Sequence, residues 1–181
     1  GEFVARCILE QHEWDGWCPS YRTQVSWNRL EAWLKHEVED NNLDLSPDFQ
    51  REHVWTPEQK TAYVEYAIRG GISGKEIYLN CAGWMADFRG PFVLVDGKQR
   101  IDAALGFLRN EVPICSGFYY KDFEDKLSSS VEFFINVNDL PTRADVLRWY
   151  LDLNTGGVVH TREEIDRVRV LLVKEGMKKG D

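Results

Sequence analysis

Positive charge is scarce in this chain of 181 residues: 22 Lys and Arg stand against 30 Asp and Glu, a net charge of −8. A protein that coats nucleic acid without specificity needs clustered cations, so that class is disfavoured, although a local basic groove is still allowed. Long apolar runs are missing too. None approaches the roughly 20 apolar residues that span a bilayer, so no membrane partner is expected. The first residues meet Arg6, Glu10 and His12 too early for a secretory leader, and Gly1-Glu2-Phe3 reads as a cloning scar. The four cysteines, Cys7, Cys18, Cys81 and Cys115, contain no CxxC pair. That spacing fits no common zinc framework, and a set of Cys7, His12 and Cys18 still lacks a fourth ligand. Reduced thiols in a cytoplasmic protein are expected, with Cys81 and Cys115 as small core residues.

What is present suits one globular domain. Hydrophobic residues make up 43% and charged residues 29%, ordinary values for a chain long enough to bury a sizeable core. Residues 3–9 read as a short strand and 12–23 as an aromatic-rich loop. Ser26 is placed to cap a helix with Leu30, Trp33, Leu34 and Val38 on its apolar face. Thr56-Pro57-Glu58-Gln59 has the pattern of a capping box with proline at the first helical position, and Gly70-Gly71 ends that helix. Ile77–Leu79, Phe92–Val95 and Val131–Val137 read as strands, with a turn-rich connection over 82–91. Ile101, Ala104, Leu105 and Leu108 recur at helical spacing. Thr142 caps a helix carrying Val146, Leu147, Tyr150 and Leu151. Thr161 with Glu164 opens a last helix carrying Ile165, Val168, Leu171 and Leu172. The pattern predicts a mixed α/β (α+β) domain with short strands and about five helices, the last two forming a helical subregion.

Three polar clusters carry the chemistry. In "FVLVDGKQRI" a buried strand runs through Asp96-Gly97 into a helix. Free N–H groups and the macrodipole at such a start favour an anion, and Gly97 lets the backbone approach it. Lys98 and Arg100 add positive charge, and Arg can hold a phosphate through two parallel hydrogen bonds. Asp96 can bind Mg²⁺ or position a water, and Gln99 can orient a nucleophile or read a base or sugar. The plainer reading is that Asp96 caps the helix while Lys98 and Arg100 are solvated. The second cluster, "PDFQREHVWT", places Gln50 and Arg51 before the helix start at Thr56, with Phe49 and Trp55 as core anchors. The third, "LDLNTGGVVHT", makes Asn154 or a following glycine a helix C-cap next to a ligand or in a simple loop.

Taken together, "PDFQREHVW", "VLVDGKQRI" and "DLNTGG" resemble the large bacterial and phage family named for its DGQQR motif, from about Leu45 to the C-terminus. That family includes the N-terminal half of GmrSD-type modification-dependent restriction enzymes. The resemblance implies a ParB/sulfiredoxin-like fold with a small mixed sheet and flanking helices. The residue pattern adds an N-terminal strand, loop and helix over 1–44 to a core over 45–140 and a C-terminal helical region over 141–181 of the same domain. The resemblance also implies binding and hydrolysis of a nucleoside triphosphate with Mg²⁺, regulating or driving a linked nuclease. Asp96, Gln99 and Arg100 would then form the catalytic set, with Asp96 the Mg²⁺ ligand. Gln50, Arg51, Thr56, Gly97, Lys98, Arg100, Asn154 and Gly156 would bind nucleotide and phosphate. Lys98 stands where the motif has its first Gln, which strengthens phosphate binding and puts a hydrolytic role of that position in question. No HNH-type nuclease half is visible, His160 being a lone histidine, so DNA cleavage by these residues alone is not expected. The sulfiredoxin branch is disfavoured because its phosphate loop needs a cysteine, and Asp96–Arg100 has none.

Two further readings stay open. A non-catalytic module could use the same cradle for DNA or a modified base, with Trp14, Trp17, Tyr21 and Trp84 as stacking surfaces. A phage-encoded anti-defence protein could present acidic Glu37, Glu39, Asp40 and Asp44 to a host subunit.

Overall fold

A computed structural model describes residues 21–50, 54–84, 86, 90–155 and 162–178. Among them lie four strands, β1 (Tyr21–Ser26), β2 (Glu76–Cys81), β3 (Phe92–Asp96) and β4 (Glu132–Asn138). Five α-helices accompany them: α1 (Leu30–Asp40), α2 (Pro57–Ile68), α3 (Lys98–Leu108), α4 (Arg143–Thr155) and α5 (Arg162–Lys178). The chain is therefore mixed α+β, and its strands form one sheet in the order β1-β4-β2-β3. β4 runs parallel to β2, while β1 with β4 and β2 with β3 are antiparallel.

Strand alternation builds two cores, because successive side chains point to opposite faces. Phe92 and Leu94 of β3, Ile77 and Leu79 of β2, and Phe133 and Ile135 of β4 join one buried cluster. Leu30 and Leu34 of α1, Val64 of α2 and Ile101, Ala104 and Phe107 of α3 complete it. Val95, with partly buried Tyr78 and Val93, faces the other way and packs with Leu147, Trp149 and Tyr150 of α4 and Val168 of α5. The end of β3 thus leads into α3 with helices on both faces of the sheet. Asp44 adds a short parallel bridge to Val93 on the open edge of β3.

Two helix starts agree with their capping signals. At Thr56 the hydroxyl accepts from the Gln59 N–H and the Gln59 side chain returns the bond, an arrangement worth about 1 kcal/mol. Thr142 accepts from the Asp145 N–H in the same manner.

Several expectations are corrected. Residues 21–23 belong to β1 and not to a loop; only Val25 of that strand is buried, so its sequence lacks a clear apolar alternation. Ser26 ends β1 and makes no side-chain cap. Val38 is exposed, because α1 turns Leu30, Leu34 and partly buried Trp33 to the core and leaves Val38 outside. Cys115 is exposed, since it sits at φ 51° in the tight turn between Ile114 and Phe118. Cys81 is buried as expected. The expected strand at 3–9, Cys7, His12, Trp14, Trp17, Cys18, His160 and the Thr161 cap lie outside the described residues.

Candidate functional site

β3 delivers Asp96 to the end of the sheet, where Gly97 turns the chain with φ 115° and ψ 9°. That left-handed geometry favours glycine, and space enforces it as well. A Cβ at Gly97 would stand 2.4 Å from Ile77 Cδ1 and 3.4 Å from Ile77 Cα. No side chain caps the start of α3. The first-turn N–H groups of Lys98, Gln99 and Arg100 therefore have no intrahelical acceptor and point outward from the helix end.

Each side chain of the turn has its own direction. Arg100 folds back: one Nη2 donates to Asp96 Oδ2 at 3.1 Å and to the Glu76 carbonyl at 2.8 Å. This pair is sheltered, with side chains 13% and 10% exposed. Asp96 is thus an ion-pair partner and not a helix cap. Tyr63 lies in the field of Arg100 and donates to the Gly74 carbonyl at 2.6 Å. Burial pushes its phenol well above the ordinary range, against the opposing pull of the Arg100 charge. Gln99 is buried, and its Oε1 accepts the Trp55 N–H at 3.0 Å. The start of α3 is thereby tied to the residue before the Thr56 cap of α2. Lys98 reaches the hydroxyl of Ser46.

The structure brings Asp96, Gly97, Lys98, Gln99, Arg100 and Thr56 to one end of the molecule. The Thr56 hydroxyl is already used by its own helix. Gln50 is 5% exposed, and neither atom of its amide has a hydrogen-bond partner. Phe49 is buried against the Tyr150 ring at 5.3 Å, and half-buried Trp55 packs on Tyr63 at 5.2 Å, so both serve as core anchors. Arg51 and Gly156 lie outside the described residues, and the backbone of Asn154 belongs to the last turns of α4. Asn154 is therefore not the left-handed cap that its sequence suggests.

The other expected surfaces also make local contacts. Trp84 packs on Phe92 at 5.3 Å and on Tyr21 at 5.8 Å, which makes it an edge of the core. Glu37 accepts from Asn41, Asp40 pairs with His36 and Asp44 accepts the Ser46 N–H, while Asp40 and Asp44 stay exposed. Among the described residues no group of three or more His, Cys, Asp or Glu could hold a metal. No helix among them is long and apolar enough to cross a membrane.

Three residues that touch the site's segments escaped sequence reasoning. Ser46 meets Lys98 across a long sequence separation, which leaves no local signal. Arg167 of α5 donates Nη2 to the Phe49 carbonyl at 3.2 Å. Asp102 is half-buried, one helical turn beyond Lys98. Burial raises its carboxyl, opposed by Lys98, Lys60 and Arg109. Its spacing from Lys98 was the available signal. Comparisons with family models, with curated proteins and with solved structures find no match for this chain.

Proposed function

We propose that the chain is a nucleotide-binding, NTP-hydrolysing domain of the DGQQR-motif family, with a ParB/sulfiredoxin-like fold. It would serve a cytoplasmic restriction or anti-restriction system, with DNA or a nuclease subunit as its partner. One observation carries this reading. The start of α3 is opened by Gly97 without a side-chain cap, is flanked by Lys98 and is braced against the start of α2 through Gln99 and Trp55. Such a start offers aligned N–H donors and a positive field to a phosphate.

The roles proposed for each side chain are these. Lys98 leaves Ser46 to meet the phosphates, while the Gly97–Lys98 backbone cradles them. Arg100, committed to Asp96 and to the Glu76 carbonyl, positions the carboxylate instead of gripping phosphate directly. Asp96 directs the attacking water. One carboxylate is a sparse protein contribution to a metal, so Mg²⁺ enters as part of the Mg–NTP substrate, held mainly by phosphate oxygens. Gln99 is a brace between two helices and not the group that orients water.

Thermal stabilisation by Mg–ATP, Mg–GTP, Mg–CTP and Mg–UTP tests the reading, since a specific ligand raises the melting temperature by mass action. Lys98→Ala is the informative variant, because Arg100→Ala would also strand the sheltered Asp96 carboxylate. The expected outcome is a shift with at least one nucleotide, lost in Lys98→Ala while the unliganded melting temperature stays within about a degree. Phosphate release then reports hydrolysis. Absence of a shift with any nucleotide would overturn the reading in favour of a non-catalytic DNA- or protein-binding module.

A further inference from the structure

Gln50 presents a buried amide whose Nε2 and Oε1 both have no hydrogen-bond partner. Folded proteins rarely keep such a group without a use for it. Its surroundings supply one. The segment that carries it is anchored to successive residues of the α3 start: Ser46 meets Lys98, and the Trp55 N–H meets Gln99. Gln50 lies between those anchors in sequence, and its neighbour Phe49 shares a buried cluster with Val95, the residue before Asp96.

A second unpartnered group is fixed to the same segment. Arg167 is held by its Nη2 bond to the Phe49 carbonyl, one peptide unit from Gln50, and its Nε is buried without a partner. The guanidinium therefore reaches the backbone next to Gln50, where Phe49 packs on the Tyr150 ring.

We propose that Gln50 and Arg167 read the nucleobase of the ligand whose phosphates rest at the start of α3. This rests on the nucleotide reading above and divides that site in two. The chemistry selects a base over a phosphate. A phosphate offers only acceptors, so it would leave the Gln50 carbonyl oxygen unpaired or repelled. A base edge places a donor beside an acceptor, which is what a primary amide complements. The Arg167 Nε–H supplies one more donor for a carbonyl or ring nitrogen. In the apolar setting of Phe49 and Tyr150 each such bond discriminates strongly. α5 thereby contributes to the site from far along the chain.

The experiment compares melting-temperature shifts from the four Mg–NTPs with the shift from Mg–tripolyphosphate, which lacks base and sugar. In the native protein at least one nucleotide is expected to exceed tripolyphosphate by several degrees. Gln50→Leu is expected to match or exceed the native unliganded melting temperature, because it removes an unpaired amide of similar volume. It should keep the tripolyphosphate shift and lose the excess. Arg167→Met should lose part of the same excess. Equal shifts from nucleotides and tripolyphosphate in the native protein would overturn base reading while the phosphate cradle stands. An undiminished excess in Gln50→Leu, or a fall of several degrees in its unliganded melting temperature, would overturn it too. No shift with any of these ligands would overturn the nucleotide reading and this inference with it.

Discussion

The two helices that meet at the candidate site begin in opposite ways. α2 begins with Thr56 and Gln59 bonded to each other, so its exposed backbone donors are partly satisfied from within. α3 begins with Gly97, which has no side chain to offer, and nothing caps it. One start is finished as the chain folds; the other is left open. The difference separates two kinds of helix N-terminus that look alike in a sequence. Thr56 belongs to architecture, whereas the Gly97 turn is the start that the proposed function assigns to the phosphates.

The largest expected effect comes from closing the open start. Gly97→Ala puts a Cβ into the Ile77 side chain and asks an L-residue to hold φ 115°. Left-handed strain of roughly 1–2 kcal/mol and overpacking of about 1–3 kcal/mol act together. Urea denaturation should show a loss of several kcal/mol, and a loss below about 1 kcal/mol would contradict the turn geometry. An intermediate effect is expected at the finished start. Thr56→Ala should cost about 1 kcal/mol while nucleotide-induced shifts survive, because its hydroxyl serves α2 alone. If those shifts vanish instead, the separation of the two starts fails.

The smallest effect concerns Asp102, one turn into α3. Burial raises its folded-state pKa above the unfolded value, so the charged form at pH 7 opposes folding. Asp102→Asn should therefore raise stability at pH 7, by roughly 0.5 kcal/mol or less at this half-exposed position. The gain should shrink as pH falls through the folded-state pKa towards the ordinary carboxylate value. A gain that grows on acidification would reverse the sign of the argument.

Much of the fold was legible because its signals are local. Thr56-Pro57 and Gln59 mark α2, and the apolar run before Asp96-Gly97 marks both β3 and the start of α3. β1 escaped because a half-exposed edge strand needs only backbone pairing, and Tyr21–Ser26 finds its partner in β4, far along the chain at Glu132–Asn138. Cys115 looked like core from its apolar neighbours, yet the turn at Ile114–Phe118 lifts it outward. Within the site, the glycine turn could be read directly. The commitment of Arg100 to Asp96 and Glu76, and of Gln99 to Trp55, could not, because those partners are chosen by sheet register and helix packing. Arg167 gave no signal at all, since only the docking of α5 brings it to Phe49.

The sheet order also dictates how the molecule can be assembled. β2 and β3 form the sheet's one hairpin between neighbouring strands, so they can pair as soon as both exist. β4 comes last among the strands and takes a central place, where it captures β2 on one side and β1 on the other. Among the described strands, early β1 pairs only with β4 and must therefore wait until Asn138 has been made, and such non-local closure is slow. A chain halted before that point would carry the whole Gly97 turn on a two-stranded ribbon, too small a sheet to hold it in shape.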